Sequence, residues 1–370
     1  MAGSVKKEKN TWYYVLELGK VNGKRKQKKK RGFKTKKEAQ QALIEAEHSI
    51  LKNGIYYEPS KTLYKEYLVD WLSDKKTIIR ESTFKTYSWL IYKYIIPFLG
   101  DLELSKIKPI DIQKMYNNLI NNNQLSRDNI QKIHSLIKDS LNKAERWGMI
   151  QRNVASLVDR PKSFRKEMKI WSVEEVKKFL DISIGSRYYV AFLLALTTGM
   201  RQGEILGLRW KDIDFENNSL SIVQTLSHDG KSFNSQAKTK TSLRSIILPN
   251  ETLKILKDHQ NMVLLEKQQN DILYIDNNLV VCTNIGTPCL PRNILRTFYS
   301  LIKKAELPRI RFHDLRHTHA TLLLKQGVNP KIVAERLGHS NIKITLETYS
   351  HVLPSMQTDS ANKINKLLFE

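Results

Sequence analysis

Four short segments in the second half of the chain carry side chains of the kinds that act on phosphate. In Thr197-Thr198-Gly199-Met200-Arg201-Gln202-Gly203-Glu204 an arginine follows a glycine break where a helix can begin. Glu204 stands one helical turn later, within reach of that guanidinium. In His313-Asp314-Leu315-Arg316 an imidazole and a second guanidinium share one helix face at i and i+3. Asn329-Pro330 starts a further helix that ends at Leu337-Gly338-His339, which sets His339 just past a helix end. Tyr349 follows within Leu346-Glu347-Thr348-Tyr349-Ser350-His351. Guanidiniums pair with phosphoryl oxygens, imidazoles move protons near neutrality, and a phenol attacks phosphorus once its proton, held with a pKa of about 10, is removed. Singly these residues mean little: an Arg–Glu pair is a common structural bridge, and a lone tyrosine packs more often than it reacts.

The elements that must position these groups begin at Trp171, from where helical periodicity mixes with a short sheet. Ser219 to Leu226 and Ser242 to Leu248 are strand-like, joined across His228-Asp229-Gly230. Asp212, Asp214 and Glu216 cluster on a turn after Trp210 and read as structural. Upstream, 153–169 contains Pro161 among basic residues and reads as a linker. Residues 58–152 read as a compact all-α domain, with helices at Leu63 to Leu72, around Phe84, Tyr87, Ile91, Tyr94 and Ile95 up to Pro97 and Gly100, at Pro109 to Asn121, and at Ser126 to Trp147. Most of their aromatic residues are expected in the core.

Residues 1–57 read as a small sheet plus a helix. Thr11 to Leu18 and Lys24 to Phe33 flank Asn22-Gly23, a hairpin signal, and Thr35 with Glu38 forms a capping box for a helix running to about Lys52. Eleven Lys or Arg residues and no acid lie between Lys20 and Lys37. A two-stranded ribbon fits the major groove of DNA, so Lys24, Arg25, Lys26, Lys28, Lys29, Lys30 and Arg31 are expected DNA contacts. Lys85 in the helical domain and Arg244 near the second strand of the later sheet are further phosphate-contact candidates, Arg244 with a structural use as the other reading.

The bulk numbers agree with a soluble DNA-binding protein. A length of 370 residues suggests two or three domains, and 41% hydrophobic with 27% charged residues is globular composition. A formal charge of +25 and a pI near 9.8 point to a polyanionic partner, nucleic acid before an anionic membrane surface. The N-terminus lacks an apolar signal region, and the longest apolar run, Tyr188 to Leu196, is far short of the roughly 20 residues needed to span a bilayer. Cys282 and Cys289 have no C-x-x-C spacing and read as reduced thiols, so a cytoplasmic location is expected.

The ordered set of Arg201, an H-x-x-R, a Leu-Gly-His-Ser and a tyrosine ten residues beyond resembles the tyrosine recombinase family, closely the integrases of temperate phages and conjugative transposons. The resemblance covers Trp171 to Leu353, and the two upstream regions resemble the arm-binding and core-binding domains of lambda-type integrases. It implies an α+β multidomain protein: an N-terminal sheet-plus-helix domain, a helical core-binding domain, and a mainly-α catalytic domain (170–370) with a small antiparallel sheet. It implies catalytic roles for Arg201, His313, Arg316 and His339 around Tyr349 as nucleophile. It also implies a general-acid lysine on a sheet hairpin, where Lys238 fits the pattern better than Lys240. The two arginines would hold the non-bridging oxygens, His313 would assist the phenol, and the product would be a 3′-phosphotyrosine, without metal or nucleotide cofactor. Expected partners are core-type and arm-type DNA sites, a homotetramer passing through a Holliday junction, an excisionase and a host DNA-bending protein.

Two other readings compete. Pro330 to Leu337 and the segment after it mimic a helix-turn-helix, as in a non-catalytic regulator; a chromosome-dimer resolvase of the Xer type shares the catalytic pattern but lacks the basic hairpin. His317 and His319 are expected on other helix faces than His313, in packing or backbone contact with DNA. Ile364, Leu367 and Leu368 form an apolar patch expected to dock on a neighbouring subunit.

Overall fold

The computed structural model describes residues 3–21, 24–53, 61–122, 125–162, 168–235, 244–349 and 356–369. The Asn22-Gly23 turn, the segment holding Lys238 and Lys240, His351, and the side chains of Lys24, Arg25 and Lys26 lie outside the described residues. The chain divides into two compact units, Met1–Lys166 and Glu167–Glu370.

The first unit opens with a three-stranded antiparallel sheet in the order β1 (Ser4–Glu8), β2 (Thr11–Val21), β3 (Lys24–Phe33), covered by α1 (Lys36–Asn53). The expected capping box starts α1: the Glu38 amide donates to Thr35 Oγ1 at 3.2 Å, and the Glu38 carboxylate accepts the Thr35 amide at 3.4 Å. Tyr14 and Leu16 turn inward to meet Leu43 of α1. Alternation along a strand then sends Tyr13 and Val15 to the open face, together with their cross-strand partners Arg31 and Lys29. β1 had no sequence signal, because Ser-Val-Lys-Lys-Glu offers only Val5 to the core; a charged edge strand of this kind resists unwanted pairing.

Five helices follow: α2 (Tyr64–Lys76), α3 (Glu81–Leu90), α4 (Ile96–Leu99), α5 (Pro109–Asn121) and α6 (Arg127–Arg146). Most of their aromatic residues belong to the core: Tyr64, Tyr67, Trp71, Tyr94 and Tyr116 are buried and Phe84 and Tyr87 pack against them, whereas Trp89, Tyr92, Phe98 and Trp147 are exposed. Two findings differ from the sequence pattern. A π turn over Ile91–Ile95 joins α3 to α4, so the chain stays helical through Pro97, which occupies the tolerated first turn of α4, and stops at Gly100. The packed core also reaches past Asn153, since Ala155 and Val158 belong to it; the first part of the expected linker is therefore built into this unit.

The second unit centres on α8 (Tyr189–Thr198), an almost wholly apolar helix buried on nearly all sides. Around it lie α7 (Val173–Ser183), α9 (Gln202–Gly207), α10 (Asn250–Asn270), α11 (Pro291–Lys304) and α12 (Phe312–Lys325), with Trp171, Phe179, Phe192, Phe298 and Phe312 as the aromatic centre of the core. The expected strand Ser219 to Leu226 is two strands. β5 (Ser219–Ile222) lies between β4 (Ile213–Asp214) and β8 (Arg244–Ile247), whereas β6 (Gln224–Leu226) turns through His228-Asp229-Gly230 to pair with β7 (Phe233–Ser235). Ser227 Oγ fixes that turn by accepting the Lys231 and Ser232 amides. Asp212 and Asp214 are structural: Asp212 pairs with Arg209 at 2.8 Å, and Asp214 accepts the amides of Glu216 and Asn217. Three further helices, α13 (Pro330–Leu337), α14 (Ile342–Tyr349) and α15 (Met356–Phe369), close the unit.

Candidate active site

The C-terminal end of α13 organises the site. A helix leaves its last carbonyls without internal partners, and they carry the negative end of the helix dipole. Here three arginines take them. Arg244 Nε donates to the Arg336 carbonyl at 2.8 Å, Arg316 Nη2 to Leu337 at 2.7 Å, and Arg201 Nη2 reaches Gly338 at 3.4 Å. Arg316 Nη1 also donates to the Gly199 carbonyl at the end of α8, at 2.8 Å. Both glycines are required by geometry. Gly199 and Gly338 have φ of +69°, and a Cβ on Gly338 would stand 2.7 Å from Arg244 Nη1.

Glu204, fully buried, holds two of these arginines from below. Its carboxylate lies 2.7 Å from Arg201 Nη1 and 2.8 Å from Arg244 Nη2, and it accepts the Arg201 amide at 2.8 Å. Burial alone would raise its pKa, but the Arg244 hydrogen bond, then the Arg244 and Arg201 charges, hold it at about 2. Arg316, only 3% exposed, is pulled down to about 9, by burial first and the Arg201 charge second. It stays charged at neutral pH. Two guanidiniums are thus fixed close enough to repel each other, an arrangement that an oxyanion would relieve.

The imidazoles and the phenol complete the cluster. His339, half-buried, shares a 2.7 Å hydrogen bond between Nδ1 and Thr345 Oγ1. Burial, then the charges of Arg316, Arg201 and Arg244, bring its pKa down to about 4. Tyr349 ends α14 with 1% exposure, packed on Ala320, Leu324, Val333 and Leu337. Burial lifts its phenol to about 12, against the opposing pull of Arg316. His313 stands at the exposed rim of α12, where desolvation beneath the ring and then the Arg316 charge lower its pKa.

Arg201, Arg316, His339 and Tyr349 are therefore brought together as expected, with His313 beside them. Two expectations change. His317 does not face away from His313: the two rings meet edge to face at 5.0 Å, and His317 Nδ1 is 2.7 Å from the Tyr349 hydroxyl. The i, i+4 spacing of these histidines is itself the signal, since such residues share a helix face. Arg244, expected as a phosphate contact, instead has an 8% exposed side chain turned onto Glu204 and α13. Its structural reading is the one the geometry supports. His319 packs as expected, bonded to the Leu196 carbonyl at 2.7 Å and facing Arg336 Nε at 3.3 Å.

Comparison with known proteins places this arrangement. Residues 169–356, just over half the chain, match the model of the phage integrase family; residues 4–50 match an arm DNA-binding domain, and 63–120 a SAM-like domain found N-terminal in phage integrases. A tyrosine recombinase XerC-like protein of Caldanaerobacter subterraneus is 32% identical, with 98% of each chain covered. The ICEBs1 integrase of Bacillus subtilis is 28% identical over 83% of each. Among solved structures, the Tn1549 transposon integrase in complex with a circular intermediate DNA superposes with a TM-score of 0.71 at 21% identity, over 82% of this chain and 99% of that one. A lambda integrase tetramer bound to a Holliday junction gives 0.60 at 20% identity, over 87% and 89%.

Fold and site together define an enzyme that cleaves and rejoins DNA strands. The chain belongs to the phage integrase family of tyrosine recombinases. It is a site-specific recombinase with a sheet-plus-helix N-terminal region, a helical region and a mainly-α catalytic region, and the reading as a non-catalytic regulator falls away.

Proposed function

We propose that this recombinase integrates and excises a mobile element, with Tyr349 attacking the scissile phosphate to give a 3′-phosphotyrosine and a free 5′-hydroxyl. The observation that carries this reading is the pair of charged guanidiniums, Arg201 and Arg316, fixed by Glu204 and by the α8 and α13 carbonyls beside a buried phenol. Held without freedom to reorient, they match the charge that develops on the non-bridging oxygens of the transition state. His339 and His313 border the same space. Lys238, with Lys240 as the other choice, supplies the proton to the departing 5′-oxygen. Because the phosphotyrosine keeps the energy of the diester, the 5′-hydroxyl of another strand can reverse the step.

The partners in this reading are duplex DNA at core-type sites, met by the helical domain (58–152) and catalytic domain (170–370), and at arm-type sites, met by residues 1–57. Lys29 and Arg31 on the open face of the arm sheet are the best-placed arm contacts; Lys28 and Lys30 pair with Leu16 and Tyr14 on the other face and rank behind them. Lys85, exposed and 3.7 Å from Glu81, is a core-site candidate. Two sequential exchanges in a homotetramer pass through a Holliday junction, with an excisionase and a host DNA-bending protein setting direction in the bacterial cytoplasm. Among the described residues no helix is long and apolar enough to cross a membrane. The integrase reading is supported by the arm-domain match at 4–50 and by the similarity to the ICEBs1 integrase; the XerC-like relative aligns over 98% of this chain, so the arm region alone does not separate the two.

The test uses a nicked duplex carrying the crossover sequence from the flank of the protein's own gene, incubated in EDTA. A covalent adduct at the 3′-phosphate is expected, and Tyr349→Phe should bind the duplex yet form none. A strict requirement for magnesium, or cleavage by the Phe variant, would sink the mechanism.

A further inference from the structure

The Tyr349 hydroxyl is buried, and among the described residues its one hydrogen-bond partner is His317 Nδ1 at 2.7 Å. A phenolic O–H can donate or accept. With the hydroxyl as donor, His317 accepts through its Nδ1 lone pair and carries its ring proton on Nε2. His313 makes no such contact; it meets His317 ring edge to ring face instead. From this geometry we propose that His317 is the base that takes the Tyr349 proton as the phenol attacks, a catalytic residue outside the set expected from sequence.

The inference rests on Tyr349 being the nucleophile. In the forward step the Oη–H bond breaks and its proton passes to Nδ1, the Oη–phosphorus bond forms, and the phosphorus–O5′ bond breaks with the 5′-oxygen protonated by the general acid. In rejoining, the 5′-hydroxyl attacks and gives its proton back to the general acid, the Oη–phosphorus bond breaks, and the Nδ1 proton returns to Oη. The ring is restored at the end of each exchange, so no proton needs to enter or leave through this buried corner.

The surroundings suit a base that must be neutral beforehand and must not keep the proton. His313, Asp314, Arg316 and Arg311 face His317 from its own helix, Tyr349 from α14 and His339 from beyond α13. Burial first, then the His313, Arg316 and Arg311 charges against the opposing pull of Asp314, bring His317 down to about 4, which leaves it unprotonated at neutral pH. Next to Arg316 an imidazolium is unfavourable and passes its proton back readily.

The test measures single-turnover adduct formation on the nicked duplex between pH 6 and 9, for the unmutated protein and for His317→Asn and His317→Ala. Asn places an amide near the Nδ1 position and can hold the hydroxyl, but it cannot take a proton. Both variants should form adduct about 10²- to 10³-fold more slowly at pH 7. Their log rate should climb with pH at a slope near one, because the phenol must then ionise unaided, whereas the unmutated protein stays flat; added imidazole should partly restore His317→Ala. A His317→Asn rate and pH profile like those of the unmutated protein would overturn the proposal and leave His317 as packing. Should the variants fail to fold, the ring ¹⁵N shifts of the unmutated protein decide: the Nε2–H tautomer supports the base, the Nδ1–H tautomer overturns it. Adduct formation by Tyr349→Phe in the same assay would instead remove the nucleophile on which the proposal depends.

Discussion

Glu204 is the residue on which the arginine cluster turns, because a carboxylate without solvent contact is tolerated only when its charge is matched. Arg201 and Arg244 match it. Glu204→Gln keeps the shape and removes the charge, leaving the buried Arg244 with no counter-ion. A loss of about 3 kcal/mol at neutral pH is expected, together with slower adduct formation as Arg201 loses its anchor. The pH dependence separates this cause from others. The folded-state pKa of Glu204, about 2, lies below its usual 4.5, so its contribution is fully present above pH 4.5 and is lost as pH falls toward 2. His317, His319 and His339, held near 4 against a usual 6.5, lose theirs in a higher window, as pH falls from 6.5 to 4. Urea midpoints of the catalytic unit should therefore drop in two legs on acidification, and Glu204→Gln should lack the lower one. An unchanged lower leg would mean that another carboxylate is responsible.

At the scale of elements, the site depends on where α8 and α13 stop. Gly338 ends α13 in the left-handed region, which costs a residue with a Cβ about 1–2 kcal/mol before any contact is counted. In Gly338→Ala the added methyl would also push Arg244 away from Glu204. Thermal unfolding several degrees lower is expected, with adduct formation reduced at least about tenfold through displaced arginines; full activity in this variant would show that the α13 end does not set the arginine geometry. The stops themselves were legible, because Gly199 and Gly338 interrupt helical periodicity, and so were Arg201 and His339, which follow those stops, while Arg316 and Tyr349 were legible from the H-x-x-R spacing and the tyrosine ten residues past His339. Other features were not. The Arg244–Glu204 pair joins residues 40 apart, and no local pattern predicts which arginine will reach a buried acid. β7 has only three residues, too short for a periodicity, and β6 lay inside the longer strand-like stretch Ser219 to Leu226, so their pairing was hidden. His317 was legible in principle, since its spacing from His313 equals about one helical turn, but only the fold reveals that α14 brings the tyrosine to that same face.

Over the whole molecule, two features bear on partners and not on the chemistry itself. The helix Met356–Phe369 exposes Ile364, Leu367, Leu368 and Phe369, each more than half open. Apolar residues grouped in this way suit a second copy of the chain, and removing 362–370 should weaken assembly on DNA, measured by light scattering, while leaving binding of a single half-site intact. The other feature is the charge of +25, part of which the arm sheet sets on one surface. There the strand alternation that buries Tyr14 and Leu16 under α1 forces Lys29 and Arg31 to the opposite face, Lys29 lying over the Tyr13 ring at 3.8 Å and Arg31 3.0 Å from Glu8. Exposed pairs of this kind are weak, so a phosphate can displace Glu8 at little cost. Each phosphate contact releases a counter-ion and adds about 0.9 to the slope of log affinity against log salt. Replacing Lys29 and Arg31 by Gln should thus lower that slope by about 2 for arm-site DNA while leaving the core-site slope unchanged. Equal losses at both sites would mean that this face supplies only general charge, whereas a change confined to the arm site would assign it a site of its own.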